Sequence, residues 1–147
     1  MSKNKQLPII TVETSIPLPV IKVWEVWTKP EHIVMWNHAS DDWKCPKAEN
    51  DIRVGGKFSY TMSANDGSVS FDFEGKYVTV KKFELIVYTI NDGRHVRVQF
   101  TSLQNSTIIT ETFEAEGTHS EKQQREGWQA ILDNFKKYVE SGKSTTQ

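Results

Sequence analysis

Between Ser120 and Glu140 the apolar residues fall at Trp128, Ile131, Leu132, Phe135, Tyr138 and Val139. Steps of three and four draw one apolar stripe along a helix. Thr118 or Ser120 can cap its first turn, with Glu121 or Gln123 three residues on. Lys136 and Lys137 suit the negative end of the helix dipole, and Gly142 supplies a stop. Gly127 interrupts the run at a cost of about 1 kcal/mol relative to alanine. It is either neutral surface variation or a turn so close to a sheet or cavity wall that a side chain does not fit.

Upstream, Ile10, Val12, Thr14 and Ile16 alternate with Thr11, Glu13 and Ser15, which predicts a strand with one buried face. Pro17 and Pro19 end it, and Pro19 suits the first residue of a helix because its missing N–H would be unpaired there anyway. Val20, Val23, Trp24 and Trp27 mark two helical turns. Thr28 and Glu31 then have capping-box spacing around Pro30, predicting a second short helix through about Trp36. Asn37 to Asp51 shows little periodicity and reads as a long loop anchored by Trp43.

From Arg53 the period becomes two. Val54, Phe58, Tyr60 and Met62 share parity, Asn65-Asp66-Gly67 suits a tight turn, and Val69, Phe71, Phe73 and Tyr77 return, with Gly75 a bulge or bend. Gly55-Gly56 reads as a sharp bend at a strand start. Phe83 to Ile90, His95 to Leu103 and Thr107 to Glu114 follow, separated by Asn91-Asp92-Gly93 and Gln104-Asn105-Ser106. These five strands form an antiparallel meander over residues 53–115, expected to hold the long helix on its concave face, with the first strand pairing the last. The class is α+β. Residues 1–8 and 141–147 read as flexible termini around one domain, 9–140.

Composition narrows the partners. Against 18 Lys and Arg stand 19 Asp and Glu in 147 residues, so nothing pulls the chain toward nucleic acid. No stretch approaches a membrane span, and the first ten residues lack the apolar core of a secretory signal. With a single cysteine, Cys45, the expectation is a cytoplasmic protein, without membrane insertion. Five tryptophans call for a large core or a lined pocket. The strand near Arg53 to Met62 is an exposed edge in this reading, so the protein is a monomer or a homodimer across that edge.

Several pieces, in order along the chain, carry a family resemblance. They are Val23-Trp24-Glu25-Val26-Trp27-Thr28 with Pro30-Glu31 and Trp36; Asp51-Ile52-Arg53-Val54-Gly55-Gly56-Lys57-Phe58; Asp66-Gly67; Gly75; and Gly127-Trp128 with Leu132, Phe135 and Tyr138. Together they resemble bacterial proteins related to the C-terminal domain of the activator of the ninety-kilodalton heat-shock ATPase, in the START/SRPBCC (birch-pollen-allergen-like) superfamily. The resemblance implies a helix-grip fold: a curved antiparallel sheet around the C-terminal helix, with an internal hydrophobic cavity. It further implies binding of a small hydrophobic or amphipathic ligand. A co-chaperone-like interaction module and a cyclase- or hydrolase-type enzyme are the alternatives. The eukaryotic activator also uses a second, N-terminal domain, for which this stretch of sequence leaves no room.

Candidate chemistry is sparse. His38, Asp41, Asp42 and Cys45 share a segment, but no pair has zinc-site spacing and no nucleophile elbow is present, so no metal, cofactor or catalytic set is expected. Trp36, Trp43, Tyr60, Phe71, Phe73, Trp128 and Leu132 can line an apolar pocket. Trp128 is expected to face Phe71 and Phe73. Glu111 shares parity with Ile109 and Phe113; that face inward would place a carboxyl in an apolar setting, as acid or as anchor for a basic group. The opposite parity, with Ile108, Thr110 and Thr112 inward, satisfies the pattern equally.

Overall fold

The computed structural model describes residues 7–142. Strand β1 (Ile9–Ile16) leads to helices α1 (Val20–Thr28) and α2 (Pro30–Trp36). Strands β2 (Trp43–Asn50), β3 (Lys57–Ala64), β4 (Ser70–Lys81), β5 (Leu85–Ile90), β6 (His95–Ser102) and β7 (Thr107–Glu114) follow, and α3 (Glu121–Glu140) closes the chain. The strands make one antiparallel sheet in the order β1-β7-β6-β5-β4-β3-β2. It is curled into a half-barrel around the long helix, the helix-grip α+β arrangement that the alternation and the terminal stripe imply. β1 pairs β7 over its full length, Ile9 opposite Glu114 through Ile16 opposite Thr107.

The segment expected to be a loop holds the largest correction. Trp43–Asn50 is a strand, and its pairing with β3 removes the edge assigned to residues 53–62. Pro46 lacks an N–H to donate, which an edge strand with a single neighbour tolerates. The register shifts between Lys44 and Lys47, around that proline. A proline and a bulge together erase the alternation by which a strand is recognised.

Smaller corrections concern the helix starts. Thr28 does not cap α2; its hydroxyl donates back to the Trp24 carbonyl at 2.8 Å, and Lys29 occupies the N-cap without a side-chain bond. Pro19 is the N-cap of α1 rather than its first residue. Phe83 stands before β5 in a left-handed turn, φ 72°. Pro8 accepts a hydrogen bond from the Ala115 N–H at 2.8 Å, so the tie of β1 to β7 begins before Ile9. The terminal segments otherwise lie largely outside the described residues. At α3 the expected cap is Ser120, in a reciprocal box with Gln123. Gly142 adopts φ 81° just beyond the helix end.

Gly75 has a steric reason. A Cβ there would stand 2.5 Å from the Phe58 ring on the neighbouring strand, so the glycine gives that ring its seat. The bulge of β4 lies further on, between Tyr77 and Thr79. Gly127 meets nothing within 4 Å, so the close approach considered for it is absent and the surface alternative holds.

One layer of the core is aliphatic: Ile10, Val12, Val96, Val98, Ile109 and Leu132 are buried between sheet and α3. The other is aromatic. Trp27 stacks on Trp36 at 4.8 Å, and Phe135 meets both edge-on at 5.1 and 5.0 Å. The Trp36 indole N–H donates to the Val26 carbonyl at 3.0 Å, locking α2 against α1. The polar ends of α3 contacts are equally specific: Asn134 donates to the Trp36 carbonyl at 2.9 Å and Lys136 to the Ser15 carbonyl at 2.8 Å.

Candidate functional site

The concave face of the sheet does not close completely onto the helices. A cavity of about 240 Å³ remains beneath α3. Its sheet wall follows from register: Tyr60 opposes Phe73 and Met62 opposes Phe71, all pointing inward from β3 and β4. Tyr77, Tyr88 and Ile86 continue the wall across β4 and β5. Trp27, Trp36 and Asn37 contribute from the short helices, Trp128 and Ile131 from α3, and Glu111 from β7. A larger, shallower depression of about 570 Å³ includes Lys57, Ser59, Glu74 and Lys76. It lacks the apolar enclosure that small-molecule sites use.

Of the residues expected to line a pocket, Trp36, Tyr60, Phe71, Phe73, Glu111 and Trp128 meet at the cavity. Leu132 is fully buried in the aliphatic core and does not line it. Trp43 stands outside the wall and packs edge-on to Phe71 at 6.0 Å. Phe71 is 51% exposed, which marks the side on which the cavity meets solvent. Trp128 meets Phe73 edge-on at 6.4 Å, as expected, but Phe71 pairs with Trp43 instead, and the Trp128 ring stacks on Phe113 at 3.9 Å. Trp27, Asn37, Met62, Tyr77, Ile86, Tyr88 and Ile131 are the lining residues that sequence reasoning missed. Met62 and Tyr77 carry a signal in the sequence, since Met62 shares strand parity with Tyr60 and Tyr77 with Phe71 and Phe73.

The polar groups of the wall are few. The Tyr77 hydroxyl donates to the Asn50 side-chain oxygen, and Asn50 donates to the Thr28 carbonyl at 2.7 Å, fastening the edge strand to the end of α1. Burial pushes the Tyr77 hydroxyl up to about 12 and those of Tyr60 and Tyr88 well above the ordinary tyrosine range, so all three stay neutral. Glu111 settles the parity question. Thr107, Ile109, Glu111 and Phe113 point inward, and Glu111 is only 5% exposed. Burial alone pushes its carboxyl up to about 8. Among the described residues no group hydrogen-bonds or ion-pairs with it.

His38 pairs through Nε2 with Asn134 at 2.9 Å, its Nδ1 is buried without a partner among the described residues, and burial lowers its pKa. Burial likewise pushes the Cys45 thiol up, away from the reactive thiolate. Among the described residues no three His, Cys, Asp or Glu side chains are placed to hold a metal.

A curled antiparallel sheet gripping a C-terminal helix over an aromatic cavity defines a START-type protein, a class of fold known for ligand binding. The family model described as Activator of Hsp90 ATPase homolog 1-like protein matches residues 17–140, and the chain belongs to that family. A solved structure of an AHSA1-like protein from Aeromonas hydrophila is 41% identical, with a TM-score of 0.87, covering 95% of this chain and 97% of that one. A Cytophaga hutchinsonii protein is 47% identical, with a TM-score of 0.79 and coverage of 94% and 96%. A Nitrosomonas europaea protein keeps the fold at 17% identity, with a TM-score of 0.79 and coverage of 97% and 99%. None of the curated proteins matches the chain.

Proposed function

We propose that this protein binds a small apolar or amphipathic molecule in the cavity beneath α3, in the cytoplasm and as a monomer or homodimer. Trp36, Tyr60, Phe71, Phe73, Glu111 and Trp128 contact the ligand. Leu132 backs the wall from the core, and Trp43 acts only through Phe71. The observation that carries the reading is the cavity itself: about 240 Å³ left open among rings large enough to have filled it. That volume falls a little below the roughly 300–1,000 Å³ of sites for drug-sized compounds, so the ligand is of one or two rings. Its affinity comes from apolar area removed from water, at about 25 cal/mol per Å² as an upper scale. Neither nucleic acid nor membrane insertion enters the reading; among the described residues no helix is long and apolar enough to cross a membrane.

Native mass spectrometry of gently purified protein, followed by extraction under denaturing conditions, tests for a retained compound. Titration with an environment-sensitive apolar probe gives the second arm. Saturation at about one probe per chain is expected, weakened by Phe73→Ser and unchanged by Lys137→Ala on the outer surface of α3. No retained mass and no saturable binding across chemically varied probes would sink the proposal.

A further inference from the structure

Glu111 does nothing visible for the fold. It stands in a cross-strand row between Val12 of β1 and Val98 of β6, where an aliphatic side chain would continue the pattern of both neighbours. Instead a carboxyl, 5% exposed and without a partner among the described residues, faces the cavity. A carboxyl largely withdrawn from bulk water and reaching only the cavity is costly to ionise, and a group that enters the cavity can pair with it.

The wall around it narrows what that group is. Val12, Val98 and the β5 residue Ile86 bring no charge, and α3 presents only Trp128 and Ile131. The titratable side chains sharing the cavity are Tyr88, whose hydroxyl feels the Glu111 charge, and Tyr60 and Tyr77 on β3 and β4. Arg94 also acts on Tyr88, but its guanidinium is held by Asp92 at 2.8 Å and by the Glu114 carbonyl at 3.0 Å. Among the described residues no Lys, Arg or His lines the space, so a fatty acid or phosphate would set a second negative group beside Glu111 with no cation of the wall to balance either. Aromatic rings present the opposite preference, because their negative faces attract organic cations.

We propose that the ligand is a lipophilic amine, held as its ammonium form by the Glu111 carboxylate with the surrounding ring faces around its apolar body. This deepens the cavity-binding reading and rests on it. The protons balance as follows. In the empty site burial keeps the Glu111 carboxyl protonated at neutral pH. An entering ammonium stabilises the carboxylate, so the Glu111 proton leaves to water on binding. An amine that enters uncharged takes that proton instead. A neutral ligand whose oxygen accepts from the Glu111 carboxyl releases no proton and loses affinity as pH rises through about 8.

Isothermal titration of the full chain with naphthylmethylammonium, naphthylmethanol and naphthoate separates these cases. It is run at pH 6.5 and 8.0, in two buffers of different ionisation enthalpy, on the parent and on Glu111→Gln. The ammonium is expected to bind at least about tenfold tighter than the alcohol at pH 8.0, and about tenfold more weakly at pH 6.5 than at 8.0, as competition with one proton requires. Buffer-dependent heats should register proton release at pH 6.5, and the advantage should vanish in Glu111→Gln. If the alcohol or naphthoate binds as tightly as the ammonium, or if the advantage survives in Glu111→Gln, the amine is wrong and the cavity-binding reading stands. If none of the three binds, both fall. Should the variant not fold, the parent decides alone: ammonium affinity that is flat or falling from pH 6.5 to 8.0, without proton release, overturns the proposal.

Discussion

Replacing Glu111 by glutamine should change how stability depends on pH. In the folded protein the carboxyl titrates at about 8, against an ordinary value of 4.5. Between those values the folded chain holds a proton that the unfolded chain has released, so raising the pH draws the equilibrium toward the unfolded state. The contribution of the neutral carboxyl is complete below pH 4.5 and is lost as pH rises through about 8. The separation corresponds to roughly 5 kcal/mol if the cavity stays dry, and less if water enters to solvate the carboxylate. Against the 5–15 kcal/mol typical of a domain, that loss would leave the empty protein marginal in mild alkali. His32 and His38 work in the other direction, since burial lowers both pKa values and their neutral forms gain stability as pH rises. They are present in parent and variant alike, so the difference between the two curves isolates Glu111. Urea denaturation of both proteins from pH 4.5 to 9 should show the parent losing several kcal/mol relative to Glu111→Gln across the window. A difference that stays constant would refute the reasoning, because it would mean that the carboxyl is solvated and not raised.

Phe135 is fully buried and packs edge-on against the stacked Trp27 and Trp36, so Phe135→Ala should cost roughly 3–5 kcal/mol by leaving a void between helix and sheet; a urea midpoint equal to the parent's would place Phe135 outside the core. Gly127 has open space where a Cβ would stand and lies inside α3, so Gly127→Ala should raise stability by about 0.5–1 kcal/mol, and a lower melting temperature would point to a contact that the geometry does not contain.

What the chain made legible was whatever is repeated locally. Six strands and three helices announce themselves through period or capping, and Ser120 with Gln123 marks the start of α3 where the reciprocal box occurs. β2 escaped because recognition by alternation presumes two faces in different surroundings throughout a strand. Pro46 and the register shift beside it break the alternation there. Thr28 has capping-box spacing, yet its hydroxyl returns to the turn behind it. The partner that makes β2 a strand, β3, lies outside a local window, whereas the Thr28 bond is a local alternative one turn back that capping-box spacing does not distinguish.

The same distinction governs the site. Ile131 and Leu132 are adjacent on α3, yet Ile131 faces the cavity and Leu132 is buried in the aliphatic core. One residue is about 100° of helix rotation, and periodicity sets the stripe without setting which edge of it meets empty space. The parity of Glu111 was undecidable within β7 for a related reason: Thr110 on the outer face is satisfied by Glu13 at 2.9 Å, while Thr107 on the inner face is satisfied by the Leu18 carbonyl at 2.9 Å, so threonines suit either side. The information lay in the partners. Val12, Glu111 and Val98 form one row across three strands, and the buried alternation of β1 and β6 assigns that row to the inside. Both flanking strands put valine where β7 has a carboxylate. A sequence that agrees with its fold at the neighbouring inward positions Ile109 and Phe113 and departs from it at Glu111 is carrying something other than stability at that position.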